Sequence, residues 1–179
     1  MTFRTGIGTS DADSITLMGR DLASELMGQV TLTQLTFLMV QGRMPSSEET
    51  RLFDAVLVSL ADHGLTPTVL AARLTYTGAP ESIQGAVAAG LLGAGSVFLG
   101  VVEDTVRFLD EIGDDVEGGV AGALADGRRI PGLGHPVHKV RDPRTPRIYA
   151  IAEEMEHPLG MPLYREVDER AKYDPPTGE

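Results

Sequence analysis

The chain has no cysteine among its 179 residues. Disulfides, thiolate nucleophiles and cysteine-based metal sites are therefore excluded, and nothing argues for an oxidising compartment. Cationic side chains are also scarce. Lys and Arg total 15 against 26 Asp and Glu, a formal net charge of −11. Nonspecific affinity for nucleic acid or an anionic membrane comes from cations neutralising phosphates, so both are disfavoured as partners. A membrane-length apolar run is missing too. The nearest stretch, residues 86–102, is short and glycine-rich, lacks a preceding basic region, and reads as a buried helix. Neither an alternating strand pattern nor a repeat of solenoid period is found. With 42% hydrophobic residues, what is left is a cytoplasmic metabolic protein of one domain, or one domain plus a small extension.

What is present is helical, which sets the fold class as all-α. Residues 10–30 read as one helix with Ser10 or Asp11 as N-cap and Leu17, Leu22 and Leu26 recurring near helical period. Thr31 or Thr33 can cap the next segment, which Gly42 and Pro45 end, and Ser46-Ser47-Glu48-Glu49 has the form of a capping box. Pro67 stands near the start of a helix over 66–76, and Pro80 opens a long Ala/Gly-rich helix running to residue 99 whose small residues allow close helix contacts. Segments 103–112, 116–126 and 146–154 complete the set. Leu35, Leu38, Leu57, Leu70 and Leu91 are expected in the core.

The segment from Pro131 to Arg144 is the exception in this acidic chain. It carries Gly132 and Gly134, three prolines, His135 and His138, and the cations Lys139, Arg141 and Arg144. The glycines permit positive φ and a close approach of backbone to a ligand, while the prolines restrict the chain beforehand. A local cationic loop can overcome the global charge at short range, so an anionic small molecule fits. His135 and His138 have no third ligand at a convincing spacing, and no metal is expected. His138 reads as structural or solvent-facing, and His157 is assigned no chemistry.

This loop resembles the Gly-x-Gly-His-x-Val…Asp-Pro-Arg signature of the citrate synthase superfamily. Asp62-His63-Gly64-Leu65-Thr66-Pro67-Thr68 resembles the segment with that family's first active-site histidine. Gly19-Arg20-Asp21-Leu22 and Gly78-Ala79-Pro80-Glu81-Ser82 are similar to its citryl-CoA lyase branch. The resemblance implies a helical fold with a large and a small domain, an active site in the interdomain cleft that the 131–144 loop borders, and a homodimer or higher homo-oligomer. It implies a coenzyme A thioester and a dicarboxylate as ligands, with no covalently bound cofactor. His135 would polarise the 2-oxo or hydroxyl group, His63 would help hold the dicarboxylate, Arg144 would clamp a substrate carboxylate, and Lys139 would meet the CoA phosphates.

Two departures from the pattern bear on activity. Gly95-Ser96-Val97-Phe98-Leu99-Gly100 stands where citrate synthases carry a histidine that stabilises the enol; Phe98 can neither donate nor accept that hydrogen bond, which favours the lyase-like branch. The family's Asn-Val-Asp element, whose aspartate is the base, does not follow Glu154. Residues 155–179 resemble instead the family's extreme C-terminus, which points to an internal deletion near Glu154 and divides the chain into a helical region, 1–154, and a tail, 155–179. Asp168 follows Val167 as the family aspartate follows valine, but its charged neighbours suggest an exposed helix and not a sheltered base. The expected function is an impaired citryl-CoA lyase-like carbon-carbon lyase giving acetyl-CoA and oxaloacetate. The alternative is a noncatalytic dicarboxylate- or CoA-binding remnant or assembly subunit of the same superfamily.

Overall fold

The computed structural model describes residues 5–61, 64–95, 100–134, 142–156 and 161–171. The chain forms two compact units, Met1–Leu60 and Ala61–Glu179.

The first unit opens with a small antiparallel sheet, β1 (Gly8–Ser10), β2 (Ile15–Leu17) and β3 (Arg20–Asp21), paired in that order. The register sets Thr9 opposite Thr16 and Leu17 opposite Arg20. This corrects the expectation of a continuous helix over 10–30. Asp11 does not cap a helix; its carboxylate closes a turn by accepting from the Ser14 amide at 2.8 Å and hydroxyl at 2.9 Å. Met18 and Gly19 then take φ of 51° and 78°, as a two-residue hairpin turn demands. Only Leu22–Leu26 is helical, as one wide π-type turn capped by Asp21.

Two helices follow, α1 (Leu32–Gln41) and α2 (Ser47–Ser59), each begun by a reciprocal capping box, Thr31 with Gln34 and Ser46 with Glu49. Gly42, in the left-handed region, stops α1. Leu26, Leu38 and Leu52 are buried, and Phe37 meets Phe53 edge to face with centroids 6.0 Å apart. Arg43 lies over Phe37 and grips the Glu49 carboxylate through two bonds of 2.7 and 2.5 Å. That grip holds the Glu49 carboxyl down to about 2.

The second unit holds α3 (Pro67–Gly78), α4 (Ile83–Leu92), α5 (Val101–Ile112), α6 (Val116–Ala125), α7 (Arg144–Glu153) and α8 (Met161–Ala171). Helices α3 and α4 pack chiefly on each other. Their contact depends on small residues: a Cβ on Gly90 would stand 3.3 Å from both the Ala72 methyl and the Thr68 carbonyl. Helix α4 is shorter than the sequence suggests, starting at Ile83 and ending at Gly93, where glycine weakens helix propagation.

The core lies elsewhere, among α5, α6 and α8. Phe108, Ile112, Val116, Val120, Ala123, Val167 and Ala171 are buried together, and Ile130 and Leu133 join them from the segment after α6. Of the residues expected in the core, Leu38 is buried and Leu35 half-buried, whereas Leu57, Leu70 and Leu91 are 42%, 46% and 67% exposed. Because α3 meets α4 through alanine and glycine, the large side chains of that pair are turned outward.

Candidate active site

The site loop grows directly from the core of the second unit. Ile130 and Leu133 are buried on either side of Gly132, each side chain contributing on the order of 1.5–3 kcal/mol as apolar surface removed from water. Gly132 and Gly134 have φ of 80° and 90°, the left-handed region that glycine enters without strain. Two hydroxyls crowd the Gly132 backbone: a Cβ there would fall 2.6 Å from Tyr164 Oη of α8 and 2.8 Å from Thr105 Oγ1 of α5. The glycine is required by conformation and by space.

Beyond the loop, the chain re-enters at Asp142 and starts α7 at Arg144. The Asp142 carboxylate organises this start. Its Oδ1 accepts from the Arg144 amide and from Arg144 Nε, both at 2.9 Å, and its Oδ2 accepts from Arg144 Nη2 at 2.5 Å. The pair is only partly exposed, and it raises the Arg144 guanidinium pKa through that hydrogen bonding. Arg144 is thus held side-on in a fixed plane at the start of α7.

Farther along α7, Tyr149 is buried and donates its hydroxyl to Asp168 Oδ2 of α8 at 3.3 Å. Burial foremost, and then the Asp168 charge, push the Tyr149 phenol well above its ordinary range and the Tyr164 phenol up to about 12. Both rings stay neutral at physiological pH. The expectation that Asp168 sits on an exposed charged helix is therefore corrected. Arg165 pairs with Glu169, and Arg170 with Glu166, on the outer side of α8. Val167 is fully buried, and Asp168 is half-buried beside the tyrosine. A groove of about 530 Å³ between α7 and α8 is lined by Tyr149, Glu153, Arg165 and Glu169 among others. Its charges are compensated within it, since Arg165 also pairs with Glu153, and it offers an anion little net attraction.

Of the residues singled out from the sequence, Arg144 lies among the described residues. His63, His135 and Lys139 fall outside them, as do Phe98, His138 and Arg141. Sequence reasoning missed Asp142, Tyr149, Tyr164 and Thr105. The signal for Tyr164 was available: Tyr164, Val167, Asp168 and Ala171 recur at helical spacing along one side of α8. Among the described residues no group of three or more acidic or histidine side chains is placed to hold a metal, and no helix is long and apolar enough to cross a membrane.

Comparison with known proteins bears on this site and on the whole chain. A citryl-CoA lyase from Hydrogenobacter thermophilus is 34% identical and superposes with a TM-score of 0.84, over 95% of this chain and 68% of that one. Citrate synthases of Deinococcus radiodurans and Synechocystis are 34% and 32% identical over 133 residues, and the chain covers 35% and 33% of their lengths. An ATP citrate lyase from Methanothrix soehngenii, solved with citrate and coenzyme A, is similar in fold, with a TM-score of 0.77 at 22% identity over 94% of this chain and 28% of that one. Residues 17–175 match the citrate synthase C-terminal domain family, a span that takes in the loop, the Arg144 turn and α8, and the chain belongs to that family.

Proposed function

We propose that this chain binds a dicarboxylate and a coenzyme A thioester as a citryl-CoA lyase-type protein, and that its chemistry is the cleavage of citryl-CoA into acetyl-CoA and oxaloacetate. The observation that carries the reading is Arg144. It stands in the Asp-Pro-Arg of the family signature, and Asp142 fixes its guanidinium in one plane at the start of α7. A preset fork loses less freedom on meeting a substrate carboxylate than a free side chain would. The likeness to the Hydrogenobacter citryl-CoA lyase supports the choice of reaction, and the citrate and coenzyme A bound by the Methanothrix enzyme support the class of ligand.

In this scheme His135 hydrogen-bonds the tertiary hydroxyl as it becomes the oxo group, His63 holds the dicarboxylate, and Lys139 meets the CoA phosphates. The carbon-carbon bond breaks toward the thioester, and the resulting enolate must take a proton at carbon. The family supplies that proton-transfer partner from an Asn-Val-Asp element, and this chain contains no asparagine at all. General acid-base catalysis is worth about two to four orders of magnitude, so turnover is expected to be weak. The same observation favours a second reading, a noncatalytic subunit that retains the dicarboxylate pocket. A homodimer through α3 and α4 fits either reading, because Leu74, Ile83, Leu91 and Leu92 are all more than half exposed there.

The deciding experiment incubates the purified chain with citryl-CoA and follows acetyl-CoA and oxaloacetate, alongside calorimetric titration with oxaloacetate. Turnover abolished by His135→Ala supports the lyase. Binding that Arg144→Ala weakens at least tenfold, without turnover, supports the noncatalytic subunit. Absence of both overturns the site.

A further inference from the structure

We propose that Tyr164 of α8, acting with Thr105 of α5, is a positioning residue that holds residues 132–134, where the site loop begins, by clamping the backbone at Gly132. The proposal rests on the reading of that loop as the ligand site. At Gly132 two hydroxyls from different helices crowd the place a Cβ would occupy, each closer than side-chain atoms normally approach. Neither hydroxyl is loosely held. Thr105 Oγ1 donates to the Val101 carbonyl at 2.6 Å, one turn back along its own helix. Tyr164 lies three residues before Val167, the fully buried anchor of α8, and the ring itself packs against the core. Asp168, one turn further on, bonds the Tyr149 hydroxyl and ties this face of α8 to α7, the helix that begins with Arg144.

The two ends of the loop are therefore fastened to the same helix. The departing end rests on Tyr164 at Gly132, and the returning end leads into α7, which is tied to α8 through Tyr149 and Asp168. Leu133 adds an apolar anchor between the two glycines. A segment read from sequence as the tail after the active region supplies the wall against which Gly132 rests. Tyr164 touches no reacting atom in this account; it acts through the backbone of residue 132.

The test is a double-mutant cycle on the full chain. Gly132→Ala is made in the wild type and in a Tyr164→Phe, Thr105→Ala background, which removes both hydroxyls while keeping the ring in the core. Two quantities are read for each: affinity for oxaloacetate, and hydrogen exchange of the Gly132, Leu133 and Gly134 amides. Gly132→Ala is expected to weaken binding and speed local exchange in both backgrounds, because a φ of 80° strains alanine whatever surrounds it, and to do so at least threefold more in the wild type than in the double-hydroxyl background. Exchange in α6 is expected to be unchanged throughout, which separates a local effect from loss of the fold. Equal losses in both backgrounds, or faster exchange spread through α6, would overturn the clamp. If the wild type binds no oxaloacetate, the functional reading fails, and the exchange cycle, which needs no ligand, still decides the clamp.

Discussion

Helices α5, α6 and α8 close around one another and bury aromatic and aliphatic side chains, whereas α3 and α4 bury small residues against each other and present their large ones outward. The contrast shows two uses of apolar sequence within one unit. The first cluster supports the chain's own fold and carries the site loop on its rim through Ile130 and Leu133. The second is a pair whose outer face the chain does not cover, and an uncovered apolar face of this kind is typical of a surface completed by association.

The sharpest way to break the comparison is to truncate large residues of the buried cluster. Phe108→Ala is expected to cost about 3–5 kcal/mol in chemical denaturation, through lost apolar burial and the cavity left behind. Leu133→Ala should cost about 2–5 kcal/mol on the same grounds and also loosen the site loop, seen as weaker oxaloacetate binding.

Titration sharpens the contrast between the α7–α8 contact and the first unit. The raised phenols of Tyr149 and Tyr164 contribute stability that is fully present below pH 10.0 and is lost as pH rises through their raised range, about 12 for Tyr164. Midpoints of denaturation measured from pH 9 upward should fall, and Tyr149→Phe with Tyr164→Phe should flatten that fall. Glu49 works in the opposite direction. Its lowered carboxyl contributes stability that is present above pH 4.5 and is lost as pH falls toward about 2, so Glu49→Gln should flatten the acid limb.

Smaller effects on stability belong to the exposed positions. Leu92→Asp, at a residue 88% exposed, is expected to leave denaturation within about 0.5 kcal/mol while shifting sedimentation from dimer toward monomer. A denaturation loss above that range without any change in assembly would remove the distinction between the two regions. Arg107→Ala breaks a solvent-exposed pair with Glu103 on α5 and should cost no more than about 0.5 kcal/mol.

The helix starts were legible in the sequence because capping is local. Thr31 with Gln34, Ser46 with Glu49, and Thr66 before Pro67 each satisfy backbone donors within one turn, and no distant residue is needed. The segment 10–30 was misread because leucines near helical period outweighed turn chemistry that is equally local, the Asp11 turn and the Met18-Gly19 hairpin. Arg144 could be named from its motif, but its partner Asp142, two residues earlier, becomes visible only when α7 starts and brings the carboxylate onto the guanidinium.

By itself the sequence determined the helical class, the caps, the glycines that the site loop needs, and the family signature, since each depends on residues close together along the chain. The tertiary structure decided which apolar faces are covered. It turned Leu70 and Leu91 outward and buried Val167 in a segment rich in charge. It also brought Tyr164 against Gly132, thirty-two positions earlier in the chain. Burial and long-range contact depend on which helices meet, and periodicity within one helix names a face without naming what lies opposite it.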